Sequence, residues 1–381
     1  MRQVERAIFD LRRGLPVLLR SDRGDTLVAP LEGLNDDALA SLRRDAGQSP
    51  RLVISRHRLA VLGLEAEADA ACLFITADDT AEAVVDWACA RDPKHPPIDH
   101  APRQAEPGDI AALTLMRRGL LIPAAVTVPV AAELASAVAA RADTGELLAI
   151  DSADVAAYDA AAPRFLKRIS SADVPLAEAE SSRFVLFREA DGLREHVAIV
   201  IGDPTRWADA VPVRLHSACL TGDLFGSLRC DCGEQLRSSV TRISEHGGGV
   251  LLYLAQEGRG IGLANKLRAY SLQDEGLDTV DADQVLGFGE DEREYNVALE
   301  MLAQLEIRRI ELLTNNPAKI DAMSRGGVTV VQRSGIYGRL TTQNRRYLTA
   351  KATRAGHWLD HVLGTPKTDD EDTAVEQERS E

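Results

Sequence analysis

Three cysteines fall within a fourteen-residue span, Cys219, Cys230 and Cys232, spaced C-x10-C-x-C. Thiolates are soft ligands that suit zinc. A structural zinc site closes on four protein ligands, whereas a catalytic one keeps a position for water. No fourth cysteine lies nearby, so the spacing favours a catalytic site over a structural knot or three unrelated thiols. His216, three residues before Cys219, is placed either to close the site or to touch a substrate. The two other cysteines, Cys72 and Cys89, sit among apolar or Ala-rich neighbours and read as small buried hydrophobes.

A second group of residues suits phosphate. Gln256-Glu257-Gly258-Arg259-Gly260-Ile261-Gly262 joins the apolar run Val250–Ala255 to the basic helical stretch Leu263–Gln273. Backbone N–H groups in a Gly-rich turn at a helix N-terminus bind phosphate well. Arg214, Arg259, Lys266, Arg268, Arg293 and Lys319 are available to gather positive charge, although any one of them is more often a solvated surface group. A third cluster, Tyr270 with Asp291-Glu292-Arg293, has the groups for general acid–base work. A blander reading makes Asp291 the N-cap of a helix over Arg293–Leu305.

The elements that must carry these residues alternate. Arg183–Glu189, His196–Ile201, Val211–Leu215, Val250–Ala255, Arg309–Leu313 and Val328–Gln332 read as strands, and Glu234–Glu245, Leu263–Gln273 and Arg293–Leu305 as helices. Pro317 reads as an early helical residue. The Ala-rich N-terminal part holds an amphipathic opening helix and a helix over Ala131–Ala142, with strands at Val17–Leu19, Leu52–Ile54 and Cys72–Ile75. The expected class is α/β, two α/β domains divided near residue 172 as 1–172 and 173–365, followed by an acidic tail, 366–381. That tail carries seven acidic and two basic residues, a third of the net charge.

With 381 residues the chain is long enough for two cores. A formal charge of −15 and 4% aromatic content disfavour nucleic acid as a partner. An odd number of cysteines, no run of 18 apolar residues and no signal-peptide pattern at the N-terminus argue for the cytoplasm, without a membrane partner.

The segments Arg214–Asp223, Phe225–Gly233, Gln256–Leu263, Leu286-Gly-Phe288, Asp291-Glu-Arg293 and Leu313–Lys319 closely resemble GTP cyclohydrolase II, in uninterrupted order over about residues 175–362. The resemblance implies a C-terminal domain of that family's fold with a zinc site. It implies zinc-dependent hydrolysis of GTP to 2,5-diamino-6-hydroxy-4-(5-phosphoribosylamino)pyrimidine, formate and pyrophosphate, the first step of riboflavin biosynthesis. Carried over by position, Cys219, Cys230 and Cys232 would hold zinc and activate a water for attack on C8. Arg293 would be the nucleophile at the α-phosphate, or its electrostatic stabiliser, with Asp291 as proton acceptor and Tyr270 near the ring-opening step. GTP would be met by Arg214, Leu215, His216, Ser217, Ala218, Gln235, Glu257, Gly258, Arg259, Thr279, Thr314 and Lys319. Ala218 departs from the Glu often found there. Mg2+ accompanying the triphosphate and a homodimer are also implied.

The N-terminal residues Val4–Leu19 and Ser21–Asp25 resemble the opening of 3,4-dihydroxy-2-butanone 4-phosphate synthase. That family needs Mg2+ and an acid-rich loop. Here the loop is shortened and without glutamates, Glu106–Ala125 offers no clear ligand segment, and only His95 and His100 lie near. The expectation is a degenerate, non-catalytic domain with a structural, dimerising or regulatory role. A bifunctional enzyme that also makes the butanone phosphate, and a zinc-stabilised nucleotide-binding regulator, are the alternatives.

Overall fold

The computed structural model describes residues 2–65, 68–94, 101–161, 166–354, 356–359 and 363–364. His95, His100 and the acidic tail lie outside the described residues. Seven strands build a first sheet: β1 (Val17–Arg20), β2 (Thr26–Pro30), β3 (Arg51–Ser55), β4 (Ala70–Phe74), β5 (Arg103–Gln104), β6 (Ala124–Pro129) and β7 (Leu148–Asp151), in the order β5-β4-β3-β6-β2-β1-β7. Neighbours are antiparallel except the β1–β7 pair. Both faces are covered. Leu18, Leu52, Ile54 and Leu73 pack under Leu39, Leu42, Val84 and Trp87 on one side. Val17, Leu19 and Val28 pack against Val4, Ile8 and Leu11 of the opening helix, Arg2–Arg12, and against Leu115 and Met116 of the helix Pro107–Arg118 on the other. Successive strand side chains point to opposite faces, so strands buried on both faces lose the apolar–polar alternation.

A second seven-stranded sheet follows: β8 (Lys167–Asp173), β9 (Ser182–Arg188), β10 (Glu195–Ile201), β11 (Val211–Ser217), β12 (Gly249–Leu254), β13 (Arg309–Leu313) and β14 (Thr329–Ser334), ordered β14-β13-β11-β12-β10-β9-β8. β8 pairs with β9, so this sheet begins ahead of residue 172. The sheet is antiparallel from β8 to β12 and parallel from β12 through β11 and β13 to β14. The helix Asn296–Gln304 covers one face through Val297, Met301 and Leu302, and the helix Cys232–Glu245 the other through Val240 and Ile243. Two further helices, Leu263–Asp274 and Thr279–Val285, form a satellite core with Ile261, Leu286 and Phe288.

Two sequence expectations are corrected. The helix expected at Ala131 begins at Ala135, because residues 131–134 close an i to i+3 turn, the Leu134 N–H donating to the Ala131 carbonyl at 2.9 Å, before the helical bonds start. The helix expected at Arg293 begins at Asn296 after Tyr295, so Asp291 is not its cap. Among the described residues no helix is long and apolar enough to cross a membrane.

Candidate active site

Parallel strands end on one edge, and the loops that follow them meet there. β11 delivers Ser217, Ala218 and Cys219; β12 delivers the turn Gln256–Gly260; β13 delivers Thr314–Asn316 and then the helix Pro317–Arg325 with Lys319 in its first turn. Asn316 caps that helix by accepting from the Ala318 N–H at 2.9 Å. These loops, with the helix Leu263–Asp274 and the loop before Asn296, wall a single cleft.

At one end the sulfurs of Cys219, Cys230 and Cys232 lie within 4.8 Å of one another. The backbone closes tightly on them: a Cβ at Gly222 would stand 2.7 Å from Cys230 Sγ and 3.1 Å from Cys219 Sγ, so only glycine fits. Hydrogen bonding among the sulfurs draws the Cys219 pKa down and pushes Cys230 up to about 11 and Cys232 up as well. One proton-poor sulfur and two donors in contact suit a thiophilic cation, which would favour all three as thiolates. Lys266 Nζ sits 3.2 Å from Cys219 Sγ and 2.7 Å from Glu257 Oε1, and Glu257 Oε2 accepts from the Leu220 N–H at 2.6 Å. His216 does not join the sulfurs. Its Nε2 lies 3.1 Å from Asp223, which also accepts from Tyr253 Oη at 3.0 Å and the Cys219 N–H at 2.9 Å.

The middle of the cleft is lined by buried basic side chains. Arg214 donates to the Leu313 carbonyl at 2.9 Å and to Gln235 Oε1 at 2.8 Å, and burial pushes its pKa down to about 10. Lys319 Nζ donates to the Leu215 carbonyl at 2.7 Å. Burial, and then Arg214 and Arg293, drive its pKa far below the ordinary lysine value. Arg259 holds a left-handed backbone, φ 61°, unusual without glycine, and its Nη1 donates to the Glu290 carbonyl at 3.1 Å. Next to it a Cβ on Gly260 would stand 2.7 Å from the Glu292 carbonyl, which locks this turn to the loop carrying Asp291 and Arg293. Arg214 Nε, His216 Nδ1 and Arg259 Nη2 are buried with no hydrogen-bond partner among the described residues. A buried polar atom left unpaired costs about 1–3 kcal/mol, so three at one cleft mark a wall shaped for a polar ligand.

Asp291 and Arg293 form a two-pronged pair. Asp291 Oδ1 accepts from Arg293 Nε at 2.7 Å and from its backbone N–H at 3.0 Å, and Oδ2 accepts from Nη2. Burial alone would lower the Arg293 pKa, but the Tyr295 hydroxyl and Asp291 outweigh it and raise it above normal. Burial likewise pushes Asp291 upward, and the bonds from Arg293 reverse the shift. Tyr270 lies under Arg229, 4.9 Å from the ring centre, and near Lys266, and burial raises its pKa, keeping the phenol protonated.

The cleft therefore brings together every site residue expected from sequence except Leu215, whose side chain is in the core while its carbonyl serves Lys319. Of the six basic residues singled out, Arg268 is also elsewhere, bonded to Glu32 at 3.2 Å. Sequence reasoning missed Arg229, Asp283, Tyr347, Lys351 and His357, which line the same cleft. Asp283 is buried beside Arg259, and burial pushes its pKa up to about 7. Lys351 reaches Asp231 Oδ1 at 3.3 Å, and Asp231 accepts from Gln235, so the C-terminal helix Arg345–Thr353 is tied to Arg214 through a polar chain. Asp223 had a signal, since it closes the Cys-Leu-Thr-Gly-Asp run; the C-terminal residues had none.

A model of the GTP cyclohydrolase II family matches residues 167–335. A GTP cyclohydrolase-2 of Azospirillum brasilense is 42% identical over 370 residues, covering 94% of this chain and 94% of that protein. One of Xylella fastidiosa (strain 9a5c) is 42% identical over 361 residues, 93% of this chain and 87% of that protein. A GTP cyclohydrolase-2 of Pasteurella multocida is 45% identical over 196 residues, 51% of this chain but 89% of its own length.

Proposed function

Since the chain belongs to the GTP cyclohydrolase II family, we propose that its cleft hydrolyses GTP with release of formate and pyrophosphate, opening riboflavin biosynthesis. The observation that carries this is the meeting of a three-thiol cluster and a set of buried basic side chains in one cleft with unpaired polar atoms. The family model falls on the second domain, and the Pasteurella relative, which matches about half of this chain, bears the same name.

Cys219, Cys230 and Cys232 would hold zinc, with a fourth position left for water. When bound, zinc supplies a water of lowered pKa, the nucleophile that ring opening at C8 requires. Lys266 keeps its charge because Glu257 and the Cys219 sulfur outweigh the effect of burial, and it fixes Cys219 against the turn. Arg214, Arg259, Arg293 and Lys319 would meet the triphosphate, with Mg2+ bound mainly by phosphate oxygens and water. Arg293 is held protonated by Asp291, so its role is to stabilise charge at the α-phosphate rather than to attack it. Gln235, Thr279 and Thr314 with Ser217 and Ala218 would place the nucleoside. A homodimer belongs to the same reading.

We assign no reaction to the first domain. In the segment Glu106–Ala125 the carboxylate of Asp109 is consumed by its fold, accepting from Thr127 Oγ1 at 2.7 Å, the Glu106 N–H at 2.9 Å and Cys72 Sγ at 3.2 Å. The β1–β2 turn is closed on itself by Ser21 Oγ and the Gly24 carbonyl at 2.9 Å.

The purified chain, incubated with GTP, should give formate, pyrophosphate and the diaminopyrimidine by mass spectrometry. Given ribulose 5-phosphate and Mg2+ it should give no butanone phosphate. GTP bound but unchanged would support the regulator, and butanone phosphate the bifunctional enzyme. In the same assay Tyr270→Phe should lower formate release about 10²-fold while the KM for GTP changes little, because a phenol that donates a proton acts on the reaction and not on ground-state binding. A rise in KM with turnover intact would remove Tyr270 from the chemistry.

A further inference from the structure

The first domain grips the parts of the second that carry chemistry. Ser55 Oγ, at the end of β3, donates to the Gly287 carbonyl at 2.6 Å. Arg58, wholly buried in the first domain, donates to the Val285 carbonyl at 2.9 Å. Arg117 and Arg118, ending the helix Pro107–Arg118, face Glu292 at 3.9 Å and Glu294 at 3.5 Å. These four contacts bracket residues 285–294, the segment that presents Asp291 and Arg293.

A second grip falls on the helix that presents Lys266 and Tyr270. Leu120 takes a left-handed backbone, φ 56°, in the turn after Arg118. A leucine there is strained and persists only when its surroundings demand it. Its carbonyl accepts from Asn265 Nδ2 at 3.1 Å, and Asn265 is fully buried. The strained turn thus ends on the residue next to Lys266.

We infer that the first domain is a positioning domain for the cyclohydrolase cleft, with Ser55 and Arg58 setting the loop of Asp291 and Arg293 and Leu120 setting the helix of Lys266 and Tyr270. The inference rests on the GTP cyclohydrolase reading of that cleft. It gives the domain a task that needs no ligand of its own. A loop held from one side only would let the guanidinium drift, and a displacement of about 1 Å is enough to cost up to ~10²-fold in rate.

The test uses the full chain. Ser55→Ala removes the bond to Gly287 and should lower kcat for pyrophosphate release about ten-fold, with the KM for GTP within about two-fold and the metal content unchanged. Ser55→Thr keeps the hydroxyl and should restore most of the rate. A merely structural Ser55 would lower the melting temperature and leave kcat of the folded enzyme alone. The double variant Arg117→Ala with Arg118→Ala leaves β3 intact and should shift kcat in the same direction; if Ser55→Ala fails to fold, this pair decides. Folded variants with wild-type kcat would overturn the inference. A wild-type chain that does not turn over GTP would instead overturn the reading it rests on.

Discussion

Arg293→Ala is expected to reduce pyrophosphate release from GTP by about 10²–10³-fold, the usual loss when one preorganised donor to a developing oxyanion is removed. The side chain is mostly enclosed and its guanidinium is shared between Asp291 and the cleft. Its removal takes from Asp291 the two guanidinium bonds and the charge that chiefly depress its pKa and leaves only the backbone N–H bond of residue 293, so a proton or a negative charge would face the phosphate where a cation now stands. The fold should survive, because the helix that follows is anchored independently by Val297, Met301 and Leu302. Arg293→Lys should recover only part of the rate: a lysine restores the charge but not the planar fork that fits both Asp291 oxygens. Rapid-quench mass spectrometry of the wild-type chain tests the electrostatic role of Arg293 against a nucleophilic one. Electrostatic stabilisation leaves no guanylyl adduct on the protein, whereas nucleophilic attack leaves one on Arg293. Near wild-type turnover in Arg293→Ala would exclude both.

Cys230→Ser should abolish formate release and reduce bound zinc from one ion per chain to a trace. Two sulfurs and a hydroxyl, which is hard and remains protonated at neutral pH, make a poor site for a thiophilic cation. The substitution is nearly isosteric, so the close approach of Gly222 to the cluster is preserved. GTP binding through Arg214, Arg259 and Lys319 should persist, since these groups are held by carbonyls and side chains away from the sulfurs. Metal analysis and calorimetry with GTP on the same preparation check both statements. Full zinc occupancy in the variant would show that the ligand set is different.

Six of the second sheet's seven strands are readable as short runs rich in Val, Ile, Leu or Phe, and Ala218, Cys219, Glu257–Arg259 and Thr314 sit in the loops that directly follow three of them. β8 was not readable. Its residues, Lys-Arg-Ile-Ser-Ser-Ala-Asp, are all exposed, carry no alternation, and become a strand only by pairing with β9. The blander reading of Asp291 as a cap rests on an acidic residue before an apolar helical pattern being a common start signal; in the fold the Arg293 guanidinium claims the carboxylate and the helix waits until Asn296. Tyr347, Lys351 and His357 reach the cleft from a C-terminal segment without motif or local signal, through tertiary packing alone. Leu215 belonged to a contiguous block of ligand residues in the resembling family, yet strand geometry turns alternate side chains away from the cleft and leaves it only its carbonyl.

The bond from Ser55 to the Gly287 carbonyl joins residues 232 positions apart. Loop-closure cost rises only slowly with separation, but it must be met before such a non-local contact rewards it. The first domain leaves the ribosome first and can complete its sheet while the second is still being made. Each sheet can then be finished, and the thiols already gathered, before Arg293 has its final place. On the positioning role inferred above, docking of the two halves would be the last step of maturation, and a chain halted before it would hold both sheets with Arg293 not yet set.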